Sequence, residues 1–174
     1  MTRTRKGFTL VELLIVIVVI GILSAMMMMS SSEAVTSAKA STIISNLRNL
    51  KTAALAYYND NMDNYDSGAS GYTTNGKFSD TEYTNLCAYL NGKNEVPDKD
   101  AYWIQVLAAD SNHDSGWFVV YAASTATGNE GNRIRTKLAG RAKSLGLVVA
   151  SGNYNTAYTY SGSGVGDNVA LQVR

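Results

Sequence analysis

The hydrophobic pattern of this chain changes character twice. From Phe8 to Met29 only Thr9, Glu12, Gly21 and Ser24 interrupt an apolar run. As a helix rising ~1.5 Å per residue, that run spans about 33 Å, enough to cross the hydrocarbon core of a bilayer. From Glu33 to Asn61 the apolar positions thin to a stripe: Ile43, Leu47, Leu50, Ala54 and Tyr57 recur at the spacing of one helix face. No proline or glycine falls between Ile22 and Met62. The spacing therefore predicts one unbroken helix from Phe8 to about Asn61, about 80 Å long. Its first part is apolar all round, and its second part offers a stripe on which a globular domain can pack.

The pattern then becomes irregular. Asn59 to Gly76 is punctuated by Asn, Asp, Ser and Gly and reads as loop. Ser79 followed by Glu82 is a capping-box signature for a short helix through Leu90, ended by Asn91-Gly92. Residues 62–100 are thus expected to form a surface connector. Period-two and β-rich segments follow. Ala101–Ala109 and Gly116–Ser124 are predicted strands separated by the loop Asp110–Ser115. Ile134, Leu138, Ala142 and Leu145 predict a helix over 132–145. Leu147–Ala150, Tyr154–Tyr160 and Val169–Val173 read as further strands, the last two joined by Ser161–Asp167. The alternation Tyr154, Thr156, Tyr158, Tyr160 predicts an antiparallel strand with one tyrosine-rich face. Residues 101–174 form the expected sheet region, and the chain shows no internal repeat.

Composition adds constraints. A chain of 174 residues suits one soluble domain plus an anchor. The net charge is +1, and without Arg3, Arg5 and Lys6 it is −2, from 12 basic and 14 acidic residues. So weakly charged a surface argues against nucleic acid as an obligatory partner. Cys87 is the sole cysteine, so no intrachain disulfide forms, and it is expected to be a small packed residue. Arg3, Arg5 and Lys6 precede the apolar run with no acid among them, which places the N-terminus in the cytoplasm. A secretory signal peptide fits the same head, with Leu23-Ser24-Ala25 as a weak cleavage site. Against it stand the length of the apolar run, the acid inside it, and a helical pattern that continues past the cut.

That acid, Glu12, is the anomaly of the run. A carboxylate within an apolar helix is costly in lipid and is a functional-site hypothesis that needs a named partner. A position near the headgroups explains it more blandly, since the charged head is within about two turns.

Lys6-Gly7-Phe8-Thr9-Leu10-Val11-Glu12 and the apolar run after it resemble the N-terminus of type IV pilins and of the pseudopilins of type II secretion. The resemblance is close from Met1 to Met29 and extends over the next thirty or so residues in character only. It implies an α+β, pilin-like fold: a long N-terminal helix whose C-terminal half packs on a C-terminal antiparallel sheet. It implies that residues 1–7 are a leader removed after Gly7 by a prepilin peptidase, and that Phe8 is then N-methylated. Glu12 would pair with the Phe8 amine of a neighbouring subunit, since an unpaired buried carboxylate penalises every wrong register. The partners implied are copies of the chain in a helical filament and an assembly platform with its ATPase. The subunit would wait as a single-pass inner-membrane protein and end in an extracellular filament. Many family members carry a proline where this chain has Met29, so no proline bend is expected here.

Other constellations carry less. Asp110, Asn112 and Asp114 alternate like the start of a calcium loop, but the glycine comes one place late, at Gly116, and Tyr121 stands where a bidentate acid belongs. Pseudopilins lend calcium some support by analogy, yet Asx-turn hydrogen bonds account for the same residues and are preferred. His113, the only histidine, lies in that loop with no marked catalytic partner. Met26 to Met29 point in different directions around a helix and cannot converge on one ion. Gly162, Gly164 and Gly166 open no helix and read as turn glycines. Arg133, Arg135, Lys137, Arg141 and Lys143 are expected to form a solvated helix face rather than an anion-binding surface. The eleven tyrosines are assigned to cross-strand packing and interface contacts. No cofactor and no catalysis are expected. The preferred role is the major subunit of a type IV pilus. The alternatives are a pseudopilin and, in a different class, a signal-anchored periplasmic enzyme or binding protein.

Overall fold

The computed structural model describes residues 7–61, 76–90, 97–107, 116–123, 128–150 and 168–173, excepting the side chains of Met29 and Ser30. The leader before Gly7, the loop with Asp110, Asn112, His113 and Asp114, the expected strand Tyr154–Tyr160 and the glycines at 162, 164 and 166 lie outside them.

Helix α1, Leu10–Asp60, is 51 residues long and about 77 Å from end to end. It passes through Gly21 and the Met29 position without a break, as expected of a segment with no proline. Asn61 closes it: its backbone N–H reaches the carbonyls of Tyr57 and Tyr58, each at 3.1 Å. Its side-chain Nδ2 donates to Tyr57 O at 2.8 Å.

The other elements are β1 (Gly76–Lys77), α2 (Asp80–Cys87), β2 (Tyr102–Leu107), β3 (Gly116–Tyr121), α3 (Gly128–Leu145), β4 (Leu147–Val149) and β5 (Val169–Gln172). The strands form one five-stranded sheet in the order β1-β2-β3-β5-β4. Every neighbouring pair is antiparallel. The architecture is α+β and pilin-like, a long N-terminal helix against an antiparallel sheet. Strand β1 is the one element that the connector pattern hides, because two residues carry no periodicity.

Register explains the packing. Ile104, Val119, Leu171 and Leu147 sit opposite one another across β2, β3, β5 and β4. All four belong to the core with the α1 stripe, where Ile43, Leu47, Leu50, Ala54 and Tyr57 are buried. The next row, Val120 and Ala170, faces away and joins Leu107 and Phe118 in a smaller cluster. At the distal end of α1, rings seal the joint edge to face. Tyr58 meets Trp117 at 5.2 Å, Phe78 meets Trp117 at 5.1 Å, and Tyr57 meets Phe78 at 6.1 Å.

The Ser79–Glu82 capping box forms as the sequence indicates, with Glu82 Oε2 accepting from Ser79 N at 2.7 Å. The α-helix stops at Cys87 rather than Leu90. Beyond it Tyr89 and Leu90 bond back three residues, to Leu86 and Cys87, so the last turn tightens. Cys87 is half-buried against the core, and burial pushes its thiol up.

Two tyrosines are buried with their hydroxyls engaged. Tyr83 donates to Pro97 O at 3.0 Å, and burial moves its phenol far above its ordinary value. Burial pushes Tyr102 up to about 12, opposed by the hydrogen bond its oxygen accepts from Asn46 Nδ2 at 3.3 Å and aided by Tyr121.

Leu47 is fully buried, so Leu47→Ala is expected to destabilise the detergent-solubilised protein by about 2–5 kcal/mol, read by denaturant titration. Val35→Ala, on the exposed side of the same helix, should stay within about 0.5 kcal/mol. Raised phenol values stabilise the fold fully below the unfolded value of about 10, and that stability is lost as pH climbs through the folded values. Unfolding midpoints should hold steady up to about pH 10 and then fall. A Tyr83→Phe/Tyr102→Phe double variant should flatten that fall; an unchanged slope would show that the tyrosines do not cause it.

Candidate assembly and processing site

Gly7, Phe8 and Thr9 precede the helix in non-helical backbone, with Thr9 as the N-cap at φ −77° and ψ 149°. The Gly7–Phe8 peptide bond is therefore outside the hydrogen-bonded helix, and Phe8 is 88% exposed. Thr9 and Glu12 form a reciprocal capping box. Glu12 Oε2 accepts from Thr9 N at 2.8 Å and from Thr9 Oγ1 at 2.7 Å. Thr9 Oγ1 accepts in turn from Glu12 N at 3.3 Å. Two of the amide donors that a helix start leaves without partners are thus satisfied, and an acid sits at the positive end of the helix dipole.

This local role of Glu12 is additional to the intermolecular one the sequence suggests. The signal is legible, since Thr9-x-x-Glu12 has the spacing of Ser79-x-x-Glu82. Both of these bonds to the carboxylate fall on Oε2, and Glu12 is exposed.

Beyond Glu12 the helix presents Leu13 to Met28 with every large apolar side chain exposed. None of its most apolar window is buried, and α1 is the one helix among the described residues long and apolar enough to cross a membrane. The single hydroxyl deep in this stretch is satisfied internally: Ser24 Oγ donates to Ile20 O at 2.8 Å.

The basic residues of α3 are not a uniform solvated face, which corrects the expectation. Arg135 is buried at 8% exposure. Its Nε and Nη2 donate to Ala123 O at 3.2 and 3.0 Å, and its Nη1 donates to Asn132 Oδ1 at 3.3 Å. It clamps α3 to the end of β3. Lys137 pairs with Glu33 of α1 at 3.1 Å, and Glu130 with Lys39 at 2.6 Å. Arg133 donates to Ser32 Oγ at 3.1 Å and Arg141 to Ser41 Oγ at 3.4 Å.

Among the described residues, no three His, Cys, Asp or Glu side chains gather where they could hold a metal. The weak calcium candidates Asp110, Asn112 and Asp114 lie outside those residues.

Comparison with curated proteins finds no match, and comparison with solved structures finds none. The family model of the prokaryotic N-terminal methylation motif does match, over residues 2–28. The chain carries the class III signal peptide of type IV pilins and pseudopilins, set on the long helix of a pilin-like fold.

Proposed function

We propose that this protein is a filament subunit, the major pilin of a type IV pilus, anchored in the inner membrane until it is assembled. The observation that carries the reading is the first part of α1: a bilayer-length apolar segment with exposed side chains and one carboxylate at its start.

In this reading a prepilin peptidase cuts after Gly7, where the backbone is non-helical and accessible. The cut creates a cationic amine on Phe8, which is then methylated. Glu12 Oε2 stays engaged with Thr9, while Oε1 receives the Phe8 amine of a neighbouring subunit. The capping box thereby holds the carboxylate in one orientation before its partner arrives. An unpaired carboxylate at the centre of a membrane helix costs about 3 kcal/mol on insertion scales, and less near the end. Pairing removes that cost only in the correct register. Neighbouring apolar helices pack together and replace lipid contacts, and the assembly ATPase supplies the work. The subunit itself catalyses nothing. Pseudopilins share the same signal, and the appearance of the assembly separates the two: long surface fibres for a pilin, none for a pseudopilin at native expression.

Mass spectrometry of purified filaments should find an N-terminus at methylated Phe8; an N-terminus near Met26 would support a conventional signal peptide instead. Glu12→Ala should leave membrane insertion intact while cutting filament yield at least tenfold by electron microscopy. A normal yield would remove the pairing role.

A further inference from the structure

Helix α3 lies across α1. On one edge of α3, Arg133 and Lys137 reach Ser32 and Glu33; on the other, Glu130 and Arg141 reach Lys39 and Ser41. The two sets of α1 partners are about two turns apart, roughly 10 Å along the axis. The Arg133–Lys137 edge is therefore the one nearer the apolar segment.

Its height can be set against a bilayer. A hydrocarbon core of about 30 Å within a total of about 40–45 Å leaves roughly 5–8 Å of headgroup layer on each side. Ser32 is one helical turn past Met28, about 6 Å along the axis. With the apolar segment in the bilayer, the Arg133 guanidinium falls at the level of the lipid phosphates.

A groove of about 630 Å³ opens there between α1 and α3, with Ser32, Glu33, Thr36, Asn132, Arg133 and Lys137 on its walls. A second groove of about 440 Å³ shares Ser32, Thr36 and Arg133, and adds Glu130, Met28 and Val35. The apolar side chains of Met28 and Val35 are exposed. Polar walls thus give way to an apolar lip on the side of the membrane segment. The two carboxylates on the groove walls, Glu33 and Glu130, are each taken by a lysine. Lys137 and Lys39 each have a carboxylate partner, whereas Arg133 donates to a neutral hydroxyl. A guanidinium is the side chain best shaped to take two oxygens of a phosphate.

We propose that this groove seats the phosphate of an anionic phospholipid of the periplasmic leaflet, with Arg133 as its principal donor, while the subunit waits in the membrane. Lys137 stands on the same groove wall, and Met28 and Val35 lie along the start of the acyl chains. The contact sets the tilt and rotation of α1 before extraction. It rests on the anchored-subunit reading above.

The test uses the full-length protein in nanodiscs of phosphatidylcholine and phosphatidylglycerol, with retained lipid counted by native mass spectrometry. Wild type should retain phosphatidylglycerol in preference to phosphatidylcholine. Arg133→Gln should lower that preference about fivefold, the usual effect of one basic side chain at an anionic surface. Glu33→Gln should raise it, an opposite change that mere loss of packing would not produce. Equal retention by wild type and Arg133→Gln would overturn the assignment. So would displacement of the lipid by millimolar inorganic phosphate, which would mark a site for free anion. A variant effect confined to the dimer population would overturn it in favour of a second copy of the chain. Failure of wild type to enter nanodiscs would overturn the anchored reading as well, whereas loss of lipid preference alone leaves that reading standing.

Discussion

One helix has to satisfy two different surroundings, and the rest of the molecule follows from that. The sheet covers α1 only from about Ala40 to Tyr58. Between Phe8 and Met28 its large apolar side chains are all exposed. Apolar surface left in water costs about 25 cal/mol for each square ångström, so a bare segment of bilayer length is not tolerated in water. An apolar environment has to cover it. The helix meets the other demand of such surroundings, that backbone polar groups be satisfied internally. Its interior amides bond within the helix, Ser24 bonds back to Ile20, and the start is closed by Thr9 and Glu12.

The capping box changes how Glu12 should be understood. A lone acid in an apolar helix looks like a pure liability awaiting an external partner. Here it already serves the helix by holding Thr9 N and Oγ1. The carboxylate is consequently held against Thr9 at the start of α1, close to the Gly7–Phe8 bond.

At the other end of the apolar segment, α3 is held crosswise by interactions of unequal kind. Arg135 is buried and satisfied by a backbone carbonyl, so it fixes α3 to β3. The exposed pairs Lys137–Glu33 and Lys39–Glu130 contribute little individually, because solvent screens them. They align α3 on α1 rather than hold it there; the apolar contacts of Ile134, Leu138 and Ala142 do the holding. The result is a small polar platform at the boundary between the segment that avoids water and the domain that lives in it.

Much of this was legible in the residues themselves. The apolar run, the stripe from Ile43 to Tyr57 and the absence of proline determine α1, because helix periodicity and chain stiffness are local properties. Ser79-x-x-Glu82 and Thr9-x-x-Glu12 determine their caps for the same reason, since each closes within one turn. The strands β2 to β5 were visible as β-rich runs and β1 was not, and neither was the order: β5 lies between β3 and β4 through pairings between residues distant in sequence. Tertiary structure alone decided that Arg135 is buried while Arg133 looks out over a groove. Both are arginines two places apart on one helix, and which of them meets a carbonyl or water depends on where β3 and α1 lie. A sequence spells out what each segment prefers by itself; which polar group is enclosed follows only once distant segments have met.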